Sequence, residues 1–233
     1  MFAQHYNLMN PPQNAIQIKV NQNTYIKDPQ SSELGQRIIS SSVEMIFELG
    51  FEQFTFRKIA AEIGSTEASI YRYFESKHMM LLYFISWYWN WTEYRLSLSL
   101  ANIESADERL KRSLSLLTTE VTEDGKFEHI NEAKLQRIVI EESSKAYLNK
   151  AVDDVNKDGA FADYKRIVAN VASIILEINP KYKYRHMLIS AVIEGAHHER
   201  YFAKHLPRLT DSVKGEDSIE CFFLDMVTKT IKN

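Results

Sequence analysis

Three groups of residues in this chain have types and spacings that could do chemistry. Asp154, Asn156 and Asp158, followed by Gly159, copy the first half of a calcium loop, where alternate oxygens converge on one cation. The twelfth position is Lys165, so a positive charge stands where the bidentate glutamate belongs, and a polar loop is expected instead. Glu194, His197, His198 and His205 share one stretch, with 194 and 198 spaced i, i+4. Their order is not that of a zinc-protease helix, and a dimer rim or cavity is the expected setting. The one cysteine, Cys221, has no internal disulfide partner and lies in the apolar run Cys221-Phe222-Phe223-Leu224, which predicts a buried structural thiol. No glycine-rich phosphate loop and no nucleophile–base pair is found. No catalytic residue, cofactor or metal is therefore expected.

The chemistry that stands out is contact with phosphates and base edges, in the stretch from Gly50 to Lys77. Thr55 can cap a short helix, and its hydroxyl and the amides behind it can meet a phosphate. Ile59, Ala60 and Ile63 supply the inner face of that helix, and Gly64 makes the turn after it. Thr66 caps the next helix, with Ile70 and Phe74 at i, i+4 on the buried side. Its outward positions are Glu67, Ala68, Ser69, Arg72 and Tyr73, on a helix short enough to lie in a major groove ~12 Å wide. Tyr71, Tyr73 and Lys77 hold donors at the ends of long arms, as contacts to a nucleic-acid backbone require.

Elements that could position these residues are legible on both sides. Seven Gly and five Pro in 233 residues are few, which favours long helices over strands joined by tight turns. Hydrophobic residues at 45% and charged residues at 25% are ordinary for a globular chain. A stripe of Leu34, Ile38, Met45 and Leu49, flanked by Ile39, Val43 and Ile46, predicts a first helix capped by Ser31 or Ser32 and closed at Gly50. Short helices follow at about 57–63 and after Thr66, and Ser76 caps a long fourth reaching about Ala101. Three helices in about fifty residues, the last two joined by a tight turn, is a helix-turn-helix layout. Further helices are expected at about 105–121, where Ser105-Ala106-Asp107-Glu108 forms a capping box, and at 130–149, 161–178, 184–205 and 217–232. The fold class is all-α: a head at 33–80 on a larger helical body at 81–233. Residues 1–32 form an arm rich in Asn, Gln and Pro. There Ile16, Ile18 and Val20 alternate with polar residues before Asn21-Gln22-Asn23 and Thr24-Tyr25-Ile26, which reads as a short hairpin or extended segment, docked, paired or disordered.

With its second helix of pattern "GF…T…IA…G" followed by "IYRYFESK", the head resembles the DNA-binding domain of TetR-family (tetracycline-repressor-like) regulators. The resemblance covers about residues 33–80, a fifth of the chain. It implies that Thr55, Tyr71, Tyr73 and Lys77 contact phosphates. It also implies that Arg57, Glu67, Ala68 and Ser69 face the groove, with Arg57 suited to a guanine edge. Two departures matter. Ser65 follows the turn glycine where many relatives have an apolar residue. The head is also not basic, with five Lys/Arg against seven Glu between 33 and 80. Phosphate attraction must then be local, with Glu44, Glu48 and Glu52 turned away; Glu67 either accepts from a cytosine amine or complements the helix dipole.

The resemblance also implies a body that binds a small-molecule effector and forms a homodimer through its last two long helices. Candidate interface residues are Ile189, Val192, Ile193 and Ala196 on one, and Phe222, Phe223, Met226 and Val227 on the other. A two-fold dimer would present two heads to a palindromic operator in double-stranded DNA. On the fourth helix Phe84, Trp87, Tyr88, Trp91 and Tyr94 follow 3–4 spacing and line either an effector pocket or the core; Trp89 lies off that face, toward another helix or the arm. The net charge of −3 excludes a generally basic coat. No run of ~18 apolar residues and no basic-then-apolar leader is present, so the cytoplasm, without membrane contact, is the expected location. The function expected is transcription regulation, as a repressor released by its effector. The alternative is a small-molecule- or lipid-binding helical module whose head makes protein contacts.

Overall fold

A computed structural model describes residues 18–123, 127 and 129–232. Eleven α-helices and no strand occur among them. The head holds α1 (Glu33–Leu49), α2 (Phe56–Glu62) and α3 (Glu67–Tyr71). α4 (Lys77–Leu100) leaves the head and runs into the body. The body adds α5 (Ala106–Thr118), α6 (Glu132–Glu142), α7 (Ser144–Tyr147), α8 (Val152–Lys157), α9 (Ala162–Ile178), α10 (Arg185–His205) and α11 (Ser218–Lys232).

Short polar side chains start the helices by accepting from backbone amides that lack an intrahelical partner: Ser32, Thr55, Thr66, Ser76, Ser105 and Asn131 each do so. The capping box at Ser105 is only half formed, because the Glu108 carboxylate turns instead to Arg112 at 2.7 Å. In the head Ile38, Ile39, Ile59, Ile70, Phe54 and Phe74 are buried together, so α3 is held by its own Ile70 and by Phe74 just after it. Gly64 takes φ +61° between α2 and α3, a conformation that favours glycine. The Arg37 guanidinium donates to the Ile63 carbonyl, satisfying the end of α2.

α4 is buried on nearly all sides between Met80 and Thr92 and packs on α5, α6 and α9. A helix apolar all round belongs in a core. The single helix expected at 130–149 is two. At Ser143 the bonding tightens, Ala146 donating back to the Ser143 carbonyl at 2.9 Å, and Asn149 closes α7 by donating to the carbonyls of Lys145 and Ala146. The calcium-like stretch is the helix α8, with Asp153 and Asp154 in its first turn and Lys157 in its last, as the helix dipole favours.

The arm also differs from the expected hairpin. Ile16 lies outside the described residues, as does everything before Ile18. Residues 18–32 make two 3-10 turns, Gln22–Thr24 and Pro29–Ser31, begun by Asn21 and Asp28 side chains that accept from amides two residues on. Local side-chain bonds thus displace strand pairing. The arm lies across head and body: Ile26 N–H donates to the Tyr73 carbonyl at 2.7 Å, and the Asn21 and Asn23 amides donate to the Asp158 carbonyl at 3.0 and 2.9 Å. It sits against α1 so closely that a Cβ on Gly35 would fall 2.3 Å from the Pro29 carbonyl oxygen.

Candidate functional site

On the outer side of the head, Thr55, Arg57, Glu67, Ala68, Tyr71 and Arg72 are exposed. Tyr71 is 48% exposed, its ring held edge-on by Phe56 at 5.0 Å, which fixes the aromatic body and leaves the hydroxyl outward. Arg57 and Arg72 make no hydrogen bond or ion pair among the described residues. The other three cations of the head are already used: Arg37 on Ile63, Lys58 on the Gln53 carbonyl at 2.8 Å, and Lys77 as described next. Two acidic residues are drawn toward the body, Glu44 by Lys134 and Glu52 by Lys145. The groove-facing surface is therefore less acidic than the count of seven Glu implies.

Three residues read as DNA contacts are placed otherwise. Tyr73 is 3% exposed, and its hydroxyl bonds with that of Ser32 at 2.8 Å and accepts from Lys27 at 3.4 Å. It anchors the arm instead of facing outward. The Lys77 ammonium donates to the carbonyls of Phe51, Glu52 and Phe54 at 3.1, 3.3 and 3.5 Å and lies over the Phe51 ring. All three of its donors hold the α1–α2 loop to the start of α4, because that loop has carbonyls no helix satisfies. Ser69 shares its hydroxyl with Thr66 at 2.8 Å, so it serves the cap as well as the surface.

The aromatic row of α4 is packed into the core among the described residues. Phe84, Trp87, Tyr88 and Trp91 are buried and Tyr94 is half-buried; Trp87 and Trp91 stack on each other, and Gln136 donates to the Tyr88 hydroxyl. These rings are core packing. A cleft of about 530 Å³ lies further along, between α7, α8, α9 and α10, bounded by Tyr147, Val152, Asp153, Asn156, Phe161, Tyr164, Lys165, Val168, His186, Met187 and Ser190. Trp89 reaches toward it, stacked on Tyr164 at 4.5 Å and on His197 at 6.0 Å, so its expected partner is a helix and not the arm.

Behind the cleft, Tyr147 and Tyr164 donate to the two carboxylate oxygens of Glu194 at 2.8 and 2.9 Å. Burial, then the charge of Glu194, pushes the Tyr147 phenol up to about 12, and Tyr164 rises for the same reasons, so both remain donors. Burial, reinforced by His198, pushes His197 down to about 4 and keeps it neutral. His198 is exposed, and no group of three or more His, Cys, Asp or Glu ligands converges among the described residues. Sequence reading missed this site because Tyr147 and Tyr164 are isolated residues on different helices, and Glu194 had been grouped with the histidines of its own helix.

The interface residues divide. Ile189, Val192, Ile193 and Ala196 face α9 and α5 within the chain, and Phe223 and Val227 also point inward. Phe222, 55% exposed, and half-buried Met226 remain on the outer side. α10 carries exposed Met187, on the cleft wall, and exposed Tyr201, and Leu206 is exposed just after the helix. Cys221 is exposed beside Phe222, so the thiol is not buried; the helix turns Phe223 inward instead.

Residues 38–84 match the family described as bacterial regulatory proteins, tetR family. No curated protein matches the chain. Among solved structures, a protein from Saccharomonospora viridis, named a transcriptional regulator and crystallised in complex with choline, aligns with TM-score 0.56 and 21% identity over 85% of this chain and 95% of its own. The superantigen PfiT aligns with TM-score 0.57 and 16% identity over 87% and 97%. The ketosteroid transcriptional regulator KstR2 of Mycobacterium tuberculosis aligns with TM-score 0.50 and 14% identity over 86% and 94%. At these identities the likeness is one of fold, and one fold serves more than one function. The head of this chain is a tetR-family helix-turn-helix domain, carried on a helical body of the architecture those structures share.

Proposed function

We propose that the protein is a homodimeric, sequence-specific DNA-binding transcription regulator, a repressor released by a small organic effector. It acts by binding and not by catalysis, in the cytoplasm where the chromosome is accessible. The observation that carries this reading is the outer face of the head: Arg57 on α2, with Arg72 and the Tyr71 hydroxyl at the end of α3, is free of protein partners among the described residues, beside exposed Glu67 and Ala68. Arg57 would read a guanine edge, Tyr71, Arg72 and Thr55 would hold phosphates, and Glu67 with Ala68 would shape the groove contact. Exposed Tyr201 on α10, Leu206 just after it and Phe222 on α11 supply an apolar surface for a second copy. Such a dimer would set two heads on half-sites ~34–36 Å apart. That the S. viridis protein was solved with choline supports a small-molecule site in a body of this fold.

Effector release would be a shift between body conformations that space the heads well or badly. Two connections suit that role. α7 carries both Tyr147 of the cleft and Lys145, which pairs with Glu142 and with Glu52 of the head; Glu142 accepts in turn from the Phe51 amide at 3.1 Å. α8 borders the cleft and ends at Asp158, whose carbonyl the arm grips, while the other end of the arm holds Tyr73 behind α3.

Binding of a fluorescent duplex across a salt series tests the reading. With Arg72 the one free cation per head assigned to phosphate, the slope of log affinity against log salt should be on the order of −2 for a dimer. The alternative, a small-molecule or lipid carrier whose head contacts proteins, is favoured by the acidic balance of the head and predicts no salt-dependent DNA binding. A flat response with folded protein would overturn the regulator reading.

A further inference from the structure

Glu194 is an anionic group whose partners among the described residues are both phenols. No Lys or Arg reaches it, and the imidazole three residues on, His197, is buried and neutral. A half-buried carboxylate without a counter-charge is costly, and two charge-assisted hydrogen bonds offset only part of that cost. The same hydrogen bonds push electron density into the rings of Tyr147 and Tyr164. Both rings border the cleft, and an aromatic face attracts a cation within ~6 Å of its centroid. Trp89 stacks flat on Tyr164 and fixes the plane of that ring. The rest of the lining near them is apolar, through Phe161, Val168 and Met187. The ionisable groups at the rim are Asp153, Lys165 and His186. Lys165 donates to the Asn156 side chain, also of the cleft wall, and in formal charge Asp153 and Lys165 cancel. The charge bonded directly to the tyrosines is that of Glu194.

We infer that this cleft binds an organic cation, a quaternary or tertiary ammonium borne on an apolar body, held on the faces of Tyr147 and Tyr164 with Glu194 as its counter-charge. An anion would meet like charge, and a neutral apolar molecule would leave Glu194 uncompensated. This assignment names the effector class of the regulator proposed above and rests on that reading only for its consequence at DNA.

The test is titration of the full chain, without DNA, by calorimetry and tryptophan fluorescence. The probes are tetramethylammonium, choline, and the uncharged isostere of choline in which a tert-butyl group replaces trimethylammonium. Choline should bind and perturb the tryptophan emission, and the isostere should bind at least about tenfold more weakly. Glu194→Gln removes the charge, keeps one acceptor and turns an amide donor to the other tyrosine's hydroxyl, and should shrink the difference between choline and its isostere. Met187→Trp, at an exposed position on the cleft wall, should block both. Equal binding of choline and isostere, unchanged choline binding by folded Glu194→Gln, or no saturable binding of either ammonium probe would each overturn the assignment. DNA binding by the same preparation is scored separately. DNA binding without cation binding defeats the cleft assignment alone, and cation binding without DNA binding defeats the regulator reading alone.

Discussion

Tyr71, Tyr73 and Lys77 show how far a residue type goes toward a role. All three end in a donor on a long arm, yet only Tyr71 leaves it free. The difference lies in partners distant in sequence: Ser32 is 41 residues from Tyr73, and Phe51 is 26 from Lys77. Spacing along one helix cannot reveal such partners, so the exposed face was legible and its anchors were not. The consequences at DNA differ accordingly. Tyr71→Phe should weaken binding to all sequences alike, whereas Arg57→Ala should lose mainly discrimination, about 1–3 kcal/mol at one base position. Comparing affinities for matched and single-mismatch duplexes separates the two. Lys77→Ala should act through the fold, costing about 1–3 kcal/mol by leaving loop carbonyls unsatisfied, as read from denaturant melts. His197 gives a pH signature. With a folded pKa of about 4 against 6.5 when unfolded, it binds its proton mainly in the unfolded chain, so its contribution is complete above pH 6.5 and is lost as pH falls toward 4. The loss should reach about 3 kcal/mol, and stability curves of His197→Gln should lack that part of the acid slope.

Among the elements, those fixed by local caps and periodicity were the readable ones. α1, α4, α9 and α10 start and stop within a residue or two of their expected limits; Ser32 and Ser76 cap α1 and α4, Gly50 closes α1, and Pro180 follows α9 as Pro207 follows α10. The break at Ser143 and the turns of the arm arise from bonds that compete with regular structure, and no periodicity announces them. The apolar stripe Ile189, Val192, Ile193 and Ala196 on α10 is buried within the chain, since one helix pattern serves either kind of burial. The arm is an element with a testable duty. Asn21→Ala with Asn23→Ala removes both bonds to the Asp158 carbonyl and should lower the local stability of residues 18–32 by about 1–2 kcal/mol. Hydrogen exchange should rise in that segment while the core of α4 stays protected. If the arm transmits the state of α8 to the head, the same variant should bind DNA normally and respond less to the effector.

At the scale of the molecule, a head with few free cations needs a second copy to bind tightly, because two weak contacts on one rigid two-fold body act as one. Phe222→Glu places a charge on the exposed outer side of α11 and should yield a folded monomer by sedimentation. That monomer should hold operator DNA far more weakly than the dimer, while each head stays intact. Symmetry, contact residues and regulator function meet in one experiment: selection of bound duplexes from a random pool at moderate salt, using protein unfolded, freed of small molecules and refolded. The account predicts enrichment of a palindrome whose half-sites lie one helical turn, ~34–36 Å, apart. A refolded dimer that enriches no sequence would contradict it.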